Sequence, residues 1–76
     1  MITVKLYGLL RIESGIKARE IQACCIKDVL DDLAVQGISQ KDLAGCIILI
    51  NEKPANKRSL LNDGDVVQLL SPVAGG

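Results

Sequence analysis

No histidine occurs in the 76 residues, and neither tryptophan nor phenylalanine does. Without histidine there is no imidazole base, no Ser-His-Asp triad and no imidazole ligand for zinc. Tyr7 is the lone aromatic residue, so single-stranded bases would find no stacking platform. Net charge is also missing. Nine basic and nine acidic residues cancel, five of each sign up to Ile38 and four of each after it. A chain so balanced lacks the basic face that nucleic-acid binding requires. No apolar run is long enough to span a bilayer. Met1 leads directly into an alternating segment rather than a leader, so the expectation is a soluble, cytoplasmic chain. Three cysteines, two of them adjacent (Cys24, Cys25), form no disulfide framework. They also lack Cys-x-x-Cys spacing and a fourth ligand, so no metal site is expected.

Half of the composition is apolar (49%), enough for one small domain with a core and too much for a disordered tail. Ile2 to Tyr7 alternates, with Ile2, Val4 and Leu6 on one face and Thr3, Lys5 and Tyr7 on the other, which predicts a half-buried strand. Gly8 to Gly15 reads as the connection of a hairpin. Ala18 to Cys24 reads as its second strand, with Ile21 and Ala23 facing inward. Ile26, Val29, Leu30, Leu33 and Ala34 form the apolar stripe of a helix. Asp28 lies in its first turn, Cys25 at its N-cap, and Gly37 is placed to end it. Ser39 to Ala44 predicts one further helical turn. Cys46 to Ile50 predicts a strand, Asn51 to Pro54 a turn, Asn62 to Asp65 a second turn, and Val66 to Leu70 the last strand. The fold expected is α+β: a mixed sheet of four to five strands with one main helix on one face.

Little of this carries chemistry. Cys24 and Cys46 read as small core residues on strands. Cys25, at a helix N-terminus, has a route to a lowered thiol pKa. Asp31-Asp32 reads as a solvated helix face, and Asp63 and Asp65 as turn hydrogen-bond acceptors. No catalytic residue is assigned.

The C-terminus is different. Gly75-Gly76 places a terminal carboxylate beside two residues without side chains, which can pass a narrow channel and adopt any backbone angle there. Pro72 stiffens the root. Six extended residues from Ser71 reach roughly 20 Å, enough to enter a partner's buried site. The expectation is one small α+β domain over 1–70 and a flexible carrier tail over 71–76. Pro72, Val73, Ala74, Gly75 and Gly76 would thread into the partner, and Gly76 would be the modified residue.

Ile2 to Tyr7, Leu10 to Gly15, Ile26 to Leu30, Ile48 to Asn51, Leu61 to Val67 and Ser71 to Gly76 together resemble the MoaD/ThiS family of ubiquitin-like β-grasp sulfur carriers. The likeness is greatest to its MoaD branch, the small, sulfur-carrying subunits of molybdopterin synthase. Asn62-Asp63-Gly64-Asp65 and Pro72-Val73-Ala74-Gly75-Gly76 are the most specific part. The resemblance implies a ubiquitin-like fold and a set of partners. An E1-like adenylyltransferase (MoeB/ThiF-like) would use ATP and Mg²⁺ to adenylate the Gly76 carboxylate. A sulfur donor would convert it to a thiocarboxylate. A large synthase subunit (MoaE-like) would accept the tail and pass sulfur to a pterin precursor in molybdenum or tungsten cofactor synthesis. Ser71 stands where this family frequently has proline.

Strand alternation places Val67 and Leu69 toward the helix, and Val66 and Leu70 with Tyr7 on the open face. Tyr7, Val66 and Leu70 are therefore the expected partner interface. The competing expectations are a ThiS-type carrier for thiamine thiazole synthesis, a ubiquitin-like modifier joined to lysines through Gly76, and a binding module with an inert tail.

Overall fold

In the computed structural model, residues 1–71 are described. The tail residues Pro72, Val73, Ala74, Gly75 and Gly76 lie outside them. Strand β1 (Ile2–Tyr7) follows the predicted alternation: Ile2, Val4 and Leu6 are buried, while Thr3, Lys5 and Tyr7 point to the other face. It is antiparallel to β2 (Ala18–Ile21), pairing Ile2 with Ile21 and Val4 with Arg19.

The connection between them corrects the sequence reading. Instead of a plain hairpin loop, Leu9–Ser14 forms a short helix, α1. Gly8, at φ +66°, turns the chain out of β1. Gly15 closes α1 in the left-handed region, donating its N–H to the Arg11 carbonyl at 2.9 Å. Leu10, only 1% exposed, plugs the end of the core. Two glycines bracketing a six-residue segment form an entry and a C-cap, which is why a helical turn fits here.

Strand β2 is also shorter than expected and stops before Cys24. The Cys24 amide donates to the Asp28 carboxylate at 3.0 Å, and its carbonyl accepts from Leu61 at 2.9 Å. These bonds pull the backbone away from β1, and Cys24 is exposed rather than in the core.

Helix α2 (Ile26–Val35) buries the predicted stripe of Ile26, Val29, Leu30 and Leu33, with Ala34 packed at its margin. The Cys25 side chain makes no capping bond. Asp28, in the first turn, instead reaches back to accept from the Cys24 amide, one residue before the cap. At the other end Gly37 adopts φ +100°. The Ile38 amide bonds to the Leu33 carbonyl and the Gly37 amide to that of Ala34, a Schellman closure that brings Ile38 into the core. Helix α3 (Gln40–Ala44) has the Ser39 hydroxyl as its cap, accepting from Lys41 at 3.1 Å.

Cys46, expected on a strand, lies just before β3 (Ile47–Ile50), half-buried against the core. A second correction follows. Lys53–Ala55 is not turn but a fifth strand, β4, antiparallel to β3. The turn is only Asn51-Glu52, both at positive φ (50° and 70°), the pattern of a two-residue hairpin turn. The last strand, β5 (Val66–Leu70), lies between β1 and β3 in the order β2-β1-β5-β3-β4. It is parallel to β1 and antiparallel to β3. Val67 and Leu69, both fully buried, face the side that α2 covers. Arg19 clamps β2 to α2 through two contacts to the Asp32 carboxylate, at 2.8 and 3.3 Å. The result is the expected α+β layer, with five strands and α2 as its main helix.

Candidate functional site: the open sheet face and the root of the tail

The sheet face opposite α2 carries no second layer among the described residues. Its pleat presents Thr3, Lys5 and Tyr7 from β1, Val66, Gln68 and Leu70 from β5, Ile47 and Leu49 from β3, and Pro54 from β4. Register arranges them in rows. Tyr7, Leu70 and Ile47 lie side by side across three strands at the end where β5 hands over to the tail. Lys5, Gln68, Leu49 and Pro54 form the next row. Gln68 donates its side-chain amide to the Tyr7 hydroxyl at 3.2 Å, tying the two rows together.

Of the three residues predicted for an interface, Tyr7 and Leu70 are neighbours. Val66 is on the same face but at the opposite end of β5, where it pairs with Thr3. At the usual rise of a strand it is about 13 Å from Leu70. The sequence reading missed Ile47, which is 52% exposed, and Leu49. An unbroken run of four apolar residues hides which of them face outward. The register against Leu70 and Gln68 decides it.

The tail itself, Pro72 to Gly76, lies outside the described residues, but its root does not. The Ser71 hydroxyl accepts the Leu9 amide at 2.6 Å and lies 3.5 Å from the Tyr7 carbonyl. A Cβ at Gly8 would collide with that hydroxyl oxygen. The strand entry is equally tied. The Asp65 carboxylate accepts from the Asn62 amide (2.8 Å) and the Asn51 side chain (3.0 Å), and these donors hold its pKa below the usual carboxylate range. Asn51 also exchanges two bonds with Val66, fixing where β5 begins. Asp65 is the turn acceptor the sequence suggested, and Asp63 pairs with the Met1 amine.

The remaining chemistry is sparse. Among the described residues no group of three or more His, Cys, Asp or Glu is placed to hold a metal. Cys46 Sγ donates to the Leu43 carbonyl at 2.9 Å, and burial pushes its thiol pKa up, away from reactivity. Asp31 pairs with Lys27 and Asp32 with Arg19, so the adjacent carboxylates serve separate ion pairs. A groove of about 310 Å³ between α2 and α3 has an apolar floor of Leu30, Ala34 and Leu43. No described helix is long and apolar enough to cross a membrane.

Comparison with known proteins gives this geometry a family. The sequence model of the ThiS family matches residues 4–76. The chain belongs to the ThiS family. That is the family of ubiquitin-like sulfur carriers, and its members are small carrier or modifier proteins rather than enzymes. No protein of curated function matches the chain significantly in sequence.

Solved structures share the ubiquitin-like β-grasp fold along the whole length. The small archaeal modifier protein SAMP1 of Haloferax volcanii superposes with a TM-score of 0.85 at 21% identity, covering 99% of this chain and 98% of that one. The SAMP1 of Methanosarcina acetivorans gives 0.83 at 26% identity, covering 99% and 95%. In the complex of subunits 1 and 2 of the molybdopterin-converting factor of Helicobacter pylori, the matched chain gives 0.68 at 28% identity, covering 99% and 97%. The last of these is a structure of a family-like chain bound to a partner subunit.

Proposed function

We propose that this ThiS-family chain is the sulfur-carrying small subunit of a molybdopterin synthase, with Gly76 as the carrier residue. The observation that carries the reading is that the family match runs through Gly75 and Gly76. The likeness to a molybdopterin-converting-factor chain supports the branch.

The chemistry is that of carboxyl activation. A carboxylate is a poor electrophile, so a partner adenylyltransferase (E1-like, of the MoeB/ThiF kind) lets a Gly76 oxygen attack the α-phosphorus of ATP. The bond to pyrophosphate breaks, and an acyl-adenylate forms, with Mg²⁺ held by that partner. A hydrosulfide equivalent from a sulfur donor then adds to the acyl carbon, and AMP leaves. The product is a thiocarboxylate, which a MoaE-like large subunit would use to deliver sulfur to a pterin precursor. This chain's part is mechanical. It presents the apolar row of Tyr7, Leu70 and Ile47 to the partner and starts the tail beside that row. The partner supplies the acid, base and metal chemistry that a histidine-free chain lacks.

A second reading has its own support. The likeness to the Methanosarcina modifier protein favours a role as a protein modifier joined to lysines through Gly76. A thiamine-branch carrier would use the same first two steps. Intact-mass measurement of the protein from its native host tests all three. A gain of about 16 Da at the C-terminus, sulfur for oxygen, supports a carrier. Gly76 recovered on lysine side chains supports the modifier. Loss of host molybdenum-enzyme activity on deletion of Gly75-Gly76 assigns the branch, and retention of it overturns the proposal.

A further inference from the structure

We propose that Ser71 is a positioning residue, whose hydroxyl fixes the point and direction from which the carboxyl-terminal segment leaves the domain. The inference rests on the carrier reading for its purpose, and on described geometry for its substance.

Strands β1 and β5 are parallel neighbours, so Tyr7 and Leu70 end together at one edge of the sheet. Beyond that edge the two chains must diverge. After Tyr7 the backbone turns through Gly8 into α1. The N-cap position of α1 is Gly8 itself, which has no side chain to accept an N–H. The first amides of a helix need an acceptor. Ser71, sixty-two residues after Leu9, provides one: its Oγ takes the Leu9 amide at 2.6 Å. Glycine is required at position 8 on two counts. Its φ of +66° disfavours a side chain. A Cβ there would also occupy the space of Ser71 Oγ. Helix and tail root are thus locked to each other through one hydroxyl. The bond falls one residue beyond the last ladder pair, Tyr7 with Leu70. It extends ordered backbone past the end of the sheet into the first residue of the tail.

The consequence is kinetic. A carboxylate must reach an attack geometry in the partner's site, and the rate depends on how often the tail points there. With the bond, the segment starts from a Ser71 held against α1; without it, Ser71 is tied only through its neighbour Leu70.

The test is Ser71→Ala beside Ser71→Thr, which keeps the hydroxyl. In an aligned medium, the residual dipolar coupling of the residue-71 amide is expected to collapse toward zero in S71A and to persist in S71T. Hydrogen exchange at the Leu9 amide should accelerate in S71A alone. With an adenylyltransferase that activates the wild-type protein, ATP–pyrophosphate exchange should fall about 3- to 10-fold in kcat for S71A, with Kd unchanged within about two-fold, and S71T should recover it. A merely structural role would lower the unfolding temperature and leave kcat intact well below that temperature. An unchanged residue-71 coupling, or a wild-type exchange rate in S71A, overturns the proposal. A wild-type protein that no adenylyltransferase activates overturns the carrier reading instead, and the residue-71 coupling still decides whether the Ser71 hydroxyl fixes the root of the tail.

Discussion

Tyr7 and Leu70 lie directly opposite each other on adjacent parallel strands, and Ile47 flanks Leu70 from the other side. This places three apolar side chains in one row on the uncovered face, next to the residue that begins the tail. On the proposed carrier reading, a partner that takes up the tail would press against this row. Ile47 offers the cleaner test because it is more than half exposed, so a charge there costs the fold little. Ile47→Lys should raise Kd for the activating enzyme or the large subunit at least about ten-fold, roughly 1.4 kcal/mol, with thermal unfolding nearly unchanged. Leu70→Lys should weaken binding at least as much, and, being half-buried, should also lower stability. Wild-type affinity in both variants, measured by calorimetry, would remove the open face from the mechanism.

The elements that sequence revealed most clearly are those whose periodicity meets a single environment. β1 alternates because one face is buried and one is not, and α2 shows its stripe for the same reason. What stayed hidden depended on partners distant in sequence. Leu9–Ser14 is too short for a helical period to declare itself, and its N-terminal amide is satisfied by Ser71. Lys53–Ala55 contains proline and is three residues long, so only its pairing with β3 makes it a strand. Cys24, read as a small core residue on a strand, lies beyond the end of β2, where Asp28 and Leu61 capture its backbone. At the candidate site, Tyr7 and Leu70 could be placed on one face by alternation alone. Their contact, and the addition of Ile47, needed the parallel register.

Two carboxylates face each other where α1 approaches α3. Protonated Glu13 donates a hydrogen bond to the Asp42 carboxylate, and this bond, reinforced by the Asp42 charge, raises the Glu13 pKa above the ordinary glutamate value. A raised carboxyl pKa contributes stability while the group is protonated, and that contribution is lost as pH rises through it. At neutral pH the pair therefore repels. Glu13 also sits in the last turn of α1, where negative charge opposes the helix dipole. Glu13→Gln should raise the melting temperature at pH 7 by roughly 1–3 °C, and the gain should disappear below about pH 4. A pH-independent change would mean that repulsion is not the cause.

Asp65 behaves in the opposite sense. Its carboxylate is stabilised by the Asn62 amide and the Asn51 side chain, so its folded pKa lies below the unfolded value. The resulting stability is present above the unfolded pKa, near about 4, and is lost as pH falls through the lower folded value. Asp65→Asn removes the titrating charge and should flatten the loss of melting temperature between about pH 5 and about pH 2. Asn51→Ala should only weaken this pH dependence, because the Asn62 amide, the larger cause, stays in place, but Asn51 also holds Val66. The substitution should loosen the start of β5, seen as faster hydrogen exchange at the Val66 amide, whose acceptor is the Asn51 side chain.

The cysteines should separate cleanly under alkylation. Cys46 is half-buried, its thiol donates to the Leu43 carbonyl, and burial raises its pKa. Both access and thiolate fraction are therefore low. Cys24 is exposed beyond the end of β2, and Cys25 is partly so. Iodoacetamide at pH 8 followed by peptide mass spectrometry should modify Cys24 at least about ten-fold faster than Cys46. The order also tests the corrected end of β2. If Cys24 were a core residue on a longer strand, as its sequence pattern suggested, it would be protected along with Ile21, and the two rates would converge. Labelling in denaturant, where all three thiols are exposed, supplies the reference that separates access from intrinsic reactivity.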